Sequence, residues 1–403
     1  MSKSQAWIDR GISHVAKTYG RYPLVADCGK GSWLLDIDGK QYLDFLAGVA
    51  VNNLGHCHPK VVRAIQEQAG KLLHCSNFYH IPQQIELAEL LCEHSFGDRV
   101  FFCNSGAEAN EAAIKLARKY SAENHNPERN EVITAKASFH GRTLAGISAT
   151  GQDKVKEGFA PMLPGFTHVP FGDIEELRAA VGPNTCAIML EPVQGEGGVN
   201  LPPAGYLQEV RELCDLNQLL LIFDEVQVGC GRTGSLFAYQ QEGVEPDIMT
   251  LAKALAGGPP IGAMISREQH AVALGPGTHG STFGGNPLMA AAALATMKVY
   301  LEDGVLENCI AMGNYLYGKL KEWQEKYDFI VDVRGRGLML GMELNIEGGG
   351  FVITALERGL LINCTAGKVL RFVPPLTVNQ EEIDQMLEIL GGIFTDYQEK
   401  QND

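Results

Sequence analysis

The sequence predicts an α/β protein built around a mostly parallel β-sheet. Short apolar segments alternate with amphipathic helical segments through the middle of the chain, which is the pattern of repeated strand–helix units. Several of these apolar segments lack polar residues at alternate positions, as expected for strands that helices cover on both faces. With 403 residues, the chain is long enough for two or three domains.

The individual elements follow in chain order. "SWLLDIDGKQYLDF" predicts a hairpin that turns at Asp38-Gly39. The central strands are predicted at "RVFFC" (99–103), "EVITA" (131–135), "TCAIML" (185–190), "LLLIFD" (219–224), "DIMTL" (247–251) and "IGAMI" (261–265), and the helix "GAEANEAAIKLARKY" follows the first of them. After about residue 288, a long Ala-rich helix leads into a different mixture of strands and helices. We therefore expect an N-terminal arm (1–56), a large central domain (57–288) and a smaller α+β C-terminal domain (289–403).

Composition excludes several classes of function. The net charge of −15 disfavours binding to nucleic acid or to an anionic membrane surface. The ten cysteines are scattered without a CxxC pair, and no apolar run is long enough to cross a bilayer. We expect reduced thiols, no cleavable leader and a cytoplasmic location. His56, Cys57 and His58 lie close together, but no second cluster completes a tetrahedral site, so we predict no metal.

Polar residues collect at the carboxyl ends of the predicted strands, where ligands bind in α/β sheets. Asn104-Ser105-Gly106 follows the first central strand, Glu191 follows "TCAIML", and Asp224 ends "LLLIFD". Lys253 lies just beyond "DIMTL" and has no charged residue within five positions on either side. It is either a lysine that packs its stem on apolar surface while its head reaches water, or a desolvated amine that attacks a carbonyl group.

Each of the other motifs also has two interpretations. "NSGAEAN" is either an ordinary helix cap or a phosphate site at a helix N-terminus. Asp224 pairs either with a protonated ring nitrogen or with an arginine such as Arg232. "GCGRTG" (229–234) matches the GxGxxG pattern of NAD-binding folds, but the following helix is short and no acidic strand end follows at the required distance. Phe139 and Arg142 in "SFHGRT" could stack on a flat ring and bind a carboxylate.

Considered together, a lysine, a buried aspartate, a phosphate site and a stacking aromatic are the set that pyridoxal phosphate requires. The motifs "NSGAEANEAAIKLAR", "FHGRT", "EPVQGEGG", "FDEVQVGCGRTG", "LAKALAGG" and "GSTFGGNP" resemble, in this order, those of class III pyridoxal-phosphate aminotransferases. The similarity extends from "LDFLAGVAVNNLGHCHP" to "LRFVPPL" and is greatest to acetylornithine aminotransferases and the related succinylornithine enzymes. It implies the fold-type I architecture of pyridoxal-phosphate enzymes and a homodimer with active sites at the subunit interface.

The resemblance also implies roles for individual residues. Lys253 resembles the Schiff-base lysine, Asp224 the partner of the ring nitrogen, and Gln227 the partner of the phenolic oxygen. The residues expected to bind the cofactor are Ser105, Gly106, Ala107, Phe139, Asp224, Glu225, Val226, Gln227, Lys253 and, from the other subunit, Thr282. Ser281 would lie beside the substrate. Arg142 and Arg371 resemble the two carboxylate-binding arginines, and Glu196 resembles the acid that pairs with Arg371 when that arginine is not in use.

The reaction implied by this family has two halves, with an amino donor in the first and 2-oxoglutarate as acceptor in the second. The expected donor is N2-acetylornithine, with succinylornithine, ornithine and 4-aminobutyrate as alternatives. Ornithine aminotransferases carry an aromatic residue before "GHCHP", whereas "AGVAVNNLGHCHP" has aliphatic residues there. A glutamate-semialdehyde aminomutase shares the scaffold but would not consume 2-oxoglutarate, and a non-catalytic regulator is disfavoured because every motif residue is present.

Overall fold

A computed structural model describes residues 3–402. Its strands are β1 (Ala26–Lys30), β2 (Trp33–Asp36), β3 (Gln41–Asp44), β4 (Arg99–Cys103), β5 (Glu131–Ala135), β6 (Phe166–Val169), β7 (Thr185–Leu190), β8 (Leu220–Asp224), β9 (Ile248–Leu251), β10 (Gly262–Ser266), β11 (Ile330–Arg336), β12 (Met339–Leu344), β13 (Leu360–Leu361), β14 (Asn363–Thr365) and β15 (Val369–Phe372). The strands predicted from the apolar segments are therefore confirmed, with ends that differ by one residue at most.

The helices connect and cover these strands. They are α1 (Lys3–His14), α2 (Ala47–Ala50), α3 (Pro59–Ala69), α4 (Pro82–Glu93), α5 (Gly106–Asn124), α6 (Leu144–Ala149), α7 (Ile174–Ala180), α8 (Tyr206–Asn217), α9 (Tyr239–Glu242), α10 (Glu268–Ala271), α11 (Pro287–Glu302), α12 (Val305–Lys326), α13 (Gly349–Glu357) and α14 (Gln380–Asn402). Within the described residues, none of them is long and apolar enough to cross a membrane.

A seven-stranded sheet lies at the centre, in the order β4-β10-β9-β8-β7-β5-β6. Neighbours from β9 to β6 are parallel, and β10 runs antiparallel to both β9 and β4. All six residues of β7 and all five of β8 are buried, because helices cover both faces of the sheet. The prediction of a mostly parallel α/β sheet is confirmed. The edge strand β6 was not predicted, since three of its four residues are only half-buried and its apolar pattern is weak.

Two smaller sheets complete the fold. The predicted hairpin is present as β2 and β3, and Gly39 adopts a φ of +90° in the turn, a conformation that favours glycine. β13 adds to this hairpin as a parallel partner of β3, so the first and last parts of the chain share one sheet. The C-terminal part forms the antiparallel sheet β11-β12-β15-β14 after the long buried helix α11, as the predicted α+β mixture requires. The division at residues 56 and 288 stays a prediction.

Candidate active site

The carboxyl ends of β4, β7, β8 and β9 open into one cavity of about 400 Å³. The chain leaves each strand at this edge of the sheet, and the residues just beyond the strand ends line the cavity: Asn104, Glu191, Asp224 and Lys253. Phe139, Arg142 and Glu196 reach it from connecting loops. The strand ends that the sequence singled out are therefore brought together, as the general rule for parallel sheets anticipates.

One end of the cavity is formed by the N-terminus of α5. Ser105 caps this helix by accepting a hydrogen bond from Glu108 N at 3.2 Å. Gly106 and Ala107 are the first two residues of the helix, so their backbone N–H groups have no hydrogen-bond acceptor within it. Both residues line the cavity. A Cβ added to Gly106 would lie 2.6 Å from Val226 Cγ1, so the close approach of backbone to Val226 requires glycine. This end therefore suits an anion such as a phosphate.

Asp224 forms the fixed acidic group of the cavity. Its Oδ2 accepts hydrogen bonds from Asn110 Nδ2 and His140 Nδ1, each at 2.8 Å, and its Oδ1 accepts from Val226 N at 3.0 Å. Thr250 Oγ1 in turn donates to Asn110 Oδ1 at 2.7 Å. Burial opposes ionisation of this carboxyl, but the hydrogen bond and charge of His140 outweigh it and lower the pKa of Asp224. Asp224 is therefore an ionised carboxylate that lines the cavity from a buried position.

The sequence alternative in which Asp224 pairs with Arg232 is wrong. Arg232 is fully buried, but its Nη1 donates to the carbonyl oxygens of Leu338 and Pro374, and its Nη2 donates to Asn53 Oδ1. It belongs to "GCGRTG" (229–234), which forms turns and does not line the cavity. The next helix, α9, has four residues, too few to hold a pyrophosphate as a dinucleotide fold does.

Lys253 lies two residues after the end of β9 and begins a short 3₁₀ turn, with a φ of +41°. Its side chain is half-buried and lines the cavity. Within residues 3–402, its Nζ makes no hydrogen bond or ion pair. Burial lowers the pKa of Lys253, although the carboxylates of Glu196 and Asp224 act in the opposite direction. The environment thus increases the neutral amine fraction, as a nucleophilic or basic lysine requires, and the interpretation of a surface lysine that reaches bulk water does not fit.

Opposite Asp224, a second acid forms an ion pair. Glu196 Oε1 accepts hydrogen bonds from Arg371 Nη1 at 2.7 Å and from Gln227 Nε2 at 3.0 Å. Gln227 Oε1 also accepts from Arg371 Nη1 at 3.0 Å. The Arg371 side chain is 1% exposed and that of Glu196 is 31% exposed. Burial opposes ionisation of Glu196, but Arg371 outweighs it and lowers the pKa of this carboxyl. Both ends of the Gln227 amide are engaged here, so its contact with a phenolic oxygen stays a prediction.

The loop after β5 forms the roof of the cavity. Phe139 is half-buried, and its backbone N–H donates to Glu191 Oε2 at 3.1 Å. The guanidinium carbon of Arg142 lies 5.4 Å from the centre of the Phe139 ring, and this arginine is exposed. Burial raises the pKa of Glu191 to about 8, with His140 acting against the shift. The predicted stacking ring and carboxylate-binding arginine are therefore adjacent and face the same cavity.

Four predicted residues do not line this cavity: Ser281, Thr282, Glu225 and Arg371, the last of which contacts the lining residues Glu196 and Gln227. Ser281 lies behind the lining residue Asn104, and its Oγ accepts a hydrogen bond from Asn104 Nδ2 at 3.1 Å. Thr282 is exposed. The side chain of Glu225 faces away and accepts hydrogen bonds from the backbone N–H of Ala238 at 2.6 Å and of Tyr239 at 2.7 Å. The Glu225 side chain points away from the cavity because successive residues at the end of β8 point to opposite faces of the sheet, and the expectation that Glu225 binds the cofactor stays a prediction.

Sequence reasoning assigned no role to three residues that shape the site. His140 and Asn110 hold Asp224, and Glu191 holds the Phe139 backbone. Asn110 lies one helical turn after Gly106, on the face of α5 that packs towards β8 and β9, and this spacing was the available signal. The pairing of His140 with Asp224 joins residues 84 positions apart, so no local pattern indicates it.

The residues present fit pyridoxal phosphate. An anion site at a helix N-terminus, an ionised buried acid, an amine with a lowered pKa and an aromatic ring surround one cavity of suitable size. Fold and site together define an enzyme of the fold-type I class that uses pyridoxal 5′-phosphate.

Comparisons with known proteins agree. The family model described as aminotransferase class-III matches residues 14–394. The acetylornithine aminotransferase of Methanocaldococcus jannaschii is 54% identical over 390 residues, which cover 97% of this chain and 98% of that protein. The crystal structure of the ornithine aminotransferase from Toxoplasma gondii superposes with a TM-score of 0.96 at 36% identity, covering 99% of this chain and 97% of that chain. The acetylornithine aminotransferase of Elizabethkingia anophelis gives a TM-score of 0.88 at 34% identity, covering 98% and 100%. The chain belongs to the class-III aminotransferase family.

Proposed function

We propose that this enzyme transfers the terminal amine of N2-acetylornithine to 2-oxoglutarate, giving N-acetylglutamate 5-semialdehyde and glutamate, a step of arginine biosynthesis. The observation that carries the proposal is the covered arginine: the buried Arg371 is paired with Glu196, which lines the same cavity as Lys253. A site of this kind can accept a donor with one carboxylate and then an acceptor with two. The relatives named above as acetylornithine aminotransferases support the choice of donor.

In this proposal, the amides of Gly106 and Ala107 would hold the cofactor's phosphate, Phe139 would pack against its ring, and Asp224 would bind its ring nitrogen. When bound, pyridoxal phosphate supplies an aldehyde that takes up the amine and a ring that accepts the electron pair of the donor carbon. Asp224 stays ionised because His140 and Asn110 bind it, and so it stabilises a proton on the ring nitrogen.

Lys253 holds the cofactor and moves the reacting proton. Its lowered pKa leaves a neutral Nζ that can remove a proton from the donor carbon, and Glu196 and Asp224 then stabilise the resulting ammonium. Glu191, Asp224 and the roof loop line the cavity together with this amine and so reduce its contact with water.

Arg142 and Arg371 bind substrate carboxylates at two positions. Arg142 is exposed at the cavity mouth and free to take the carboxylate that both substrates carry. Arg371 takes the second carboxylate of 2-oxoglutarate or glutamate once Glu196 leaves it. With acetylornithine bound, Glu196 covers Arg371, so the aliphatic chain of the donor does not face an unpaired guanidinium.

The wall near the N-terminal segment favours an acylated donor over free ornithine. Val51 lines the cavity from "AGVAVNNLG", and this apolar side chain suits an acetyl group better than a free ammonium group. Succinylornithine and 4-aminobutyrate remain the alternatives within this reaction class.

A donor screen tests the proposal. The purified holoenzyme is supplied with 2-oxoglutarate and, in turn, with N2-acetylornithine, N2-succinylornithine, ornithine and 4-aminobutyrate, and glutamate formation is measured. The expected result is the highest kcat/KM with acetylornithine. A preference for any other donor would reassign the substrate. Turnover of an amino aldehyde without 2-oxoglutarate would identify an aminomutase instead.

We also propose a cytoplasmic homodimer in which Thr282 contacts the cofactor phosphate of the partner subunit. The support is an exposed apolar region beside this residue, with Phe78 92%, Tyr79 68% and Phe283 60% exposed. Sedimentation velocity should give a dimer mass. Thr282→Ala should weaken cofactor binding a few-fold without dissociating the dimer, because it removes one phosphate contact. A monomer mass would contradict the proposed dimer. Unchanged cofactor affinity in Thr282→Ala would contradict the proposed phosphate contact.

A further inference from the structure

Strand β14 contacts both members of the Glu196–Arg371 pair. The Thr365 hydroxyl donates a hydrogen bond to the backbone carbonyl of Glu196. Asn363 Oδ1 accepts one from Arg371 Nε at 3.2 Å. The two residues are two positions apart in the strand, so their side chains lie on the same face of the sheet. One short strand of the C-terminal part thus makes a hydrogen bond to each residue of the ion pair.

Thr365 makes the direct hydrogen bond to the backbone of Glu196, while bonds within residues 194–200 hold the residues on either side. Glycines occupy positions 195, 197 and 198, so this segment has few side chains of its own to fix it. Within residues 3–402, the bond from Thr365 is the only hydrogen bond made by the Glu196 main chain. Arg334 binds the carbonyl oxygen of Gly198 at 2.7 Å, which fixes the segment two residues later. The Glu196 side chain can therefore move while Thr365 keeps its backbone beside Arg371.

Asn363 determines how the Arg371 guanidinium is oriented. The two residues are direct partners across β14 and β15. Arg371 Nε donates to Asn363 and Nη1 donates to Gln227. Because these two hydrogen bonds do not involve Glu196, the guanidinium plane stays fixed when Glu196 leaves. Nη2 makes no hydrogen bond within the described part of the chain. A carboxylate that replaces Glu196 would therefore meet a pre-oriented Nη1–Nη2 edge.

We propose that β14 is a positioning element for substrate selection, in which Thr365 keeps Glu196 over Arg371 and Asn363 keeps Arg371 oriented for a second carboxylate. This inference rests on the proposed function, in which Arg371 binds dicarboxylates. Loss of the two contacts should change substrate preference in opposite directions. Loss of the Thr365 bond frees Arg371 and favours dicarboxylates, whereas loss of the Asn363 bond misorients Arg371 and disfavours them.

The experiment measures single-turnover half-reactions of the holoenzyme with glutamate and with the active ω-amino donor of the screen. Thr365→Val removes the hydroxyl with little change of shape, and Thr365→Ser is the matched control that retains it. We expect the glutamate-to-donor efficiency ratio to rise about 2- to 10-fold in Thr365→Val, to return towards wild type in Thr365→Ser, and to fall about 2- to 10-fold in Asn363→Ala, as the loss of one hydrogen bond predicts.

A merely structural strand would give a different result. Both half-reactions would then slow by equal factors in both variants, and this outcome would overturn the inference. The double variant Thr365→Val/Glu196→Gln adds a second criterion. Because Thr365 acts through Glu196, its substitution should not shift the ratio further when the carboxylate is already neutral. Independent, additive shifts would also overturn it.

Failure of this inference can be distinguished from failure of the proposed function. If Glu196→Gln alone leaves the ratio unchanged, then Arg371 is not uncovered during the reaction and the proposed role of the pair is wrong. If Glu196→Gln shifts the ratio and neither Thr365→Val nor Asn363→Ala does, then the pair acts as proposed and only the role of β14 is rejected.

Discussion

The two acids that flank Lys253 are built differently. Asp224 is 3% exposed, ends a fully buried strand, and has partners on α5, on the roof loop and in its own turn. Glu196 is 31% exposed, lies in a glycine-rich segment, and its carboxylate is bound by side chains that also bind each other. The comparison teaches that burial and partner number distinguish a carboxylate held in one place from a carboxylate that, in our proposal, leaves its partner during the reaction.

Removing Lys253, which lies between the two acids, should have the largest effect. Lys253→Ala should fold and still bind pyridoxal phosphate through the helix N-terminus, but the cofactor should be lost on dialysis. Turnover should fall by roughly 10⁴-fold, because one substitution removes both the attachment point and the proton carrier. The measurement is kcat with acetylornithine and 2-oxoglutarate, and the exposed Lys298→Ala is the control. Near-normal turnover would reject the assignment of Lys253.

Neutralising the fixed acid should slow proton removal in both half-reactions alike. Asp224→Asn keeps the size of the side chain but removes the charge that stabilises a protonated ring nitrogen. We expect hydrogen exchange at the donor carbon to slow about 10²- to 10³-fold for glutamate and for acetylornithine, measured in deuterated solvent. If exchange continued at the wild-type rate, the carboxylate would have a purely structural role.

Neutralising the movable acid should instead separate the two half-reactions. In Glu196→Gln, Arg371 no longer has an internal anion, so glutamate and 2-oxoglutarate should bind up to about tenfold more tightly, and the acetylornithine half-reaction should weaken. Stopped-flow measurement of both half-reactions gives the ratio, with the exposed Glu307→Gln as a control. Equal losses in both would mean that Glu196 is fixed like Asp224, and the contrast drawn above would fail.

Glu191, a third acid of the cavity, should show the smallest effect, on stability. Its pKa is raised to about 8 by burial, so the folded protein keeps a proton that an unfolded chain loses above pH 4.5. The unfolded state therefore gains stability relative to the folded state as the pH rises from about 4.5 to 8. Glu191→Gln removes this dependence, so its apparent melting temperature should rise by a few degrees relative to wild type at pH 8 but not at pH 4.5. If the difference in melting temperature between the two proteins were the same at both pH values, Glu191 would already be ionised in the folded protein.

The sequence predicted the central fold because its signals are local. Apolar runs without alternation marked β4, β5, β7, β8, β9 and β10, and the residues after them marked the cavity edge. The edge strand β6 was missed because it is only half-buried and its signal is weak. Lys253, Asp224 and the start of α5 could be identified as site candidates for the same reason: each lies at the end of an apolar strand or within three residues of it.

The partners of these residues could not be predicted in the same way. Asp224 could have paired with Arg232, eight residues away, but it pairs with His140, 84 positions away. Glu225 is adjacent to Asp224 yet faces the opposite side of the sheet. Backbone alternation and the packing of distant loops decide such contacts, and neither is encoded in a short motif.

By itself, then, the sequence determined the α/β class, the positions of most central strands along the chain and the set of groups at their carboxyl ends, because strand periodicity and helix capping depend on neighbouring residues. Only the tertiary structure decided that His140 and Asn110 bind Asp224, how deeply each acid is buried, and that β14 contacts both members of the Glu196–Arg371 pair. These properties depend on burial and on hydrogen bonds between residues up to 175 positions apart, which exist only once the sheets have packed.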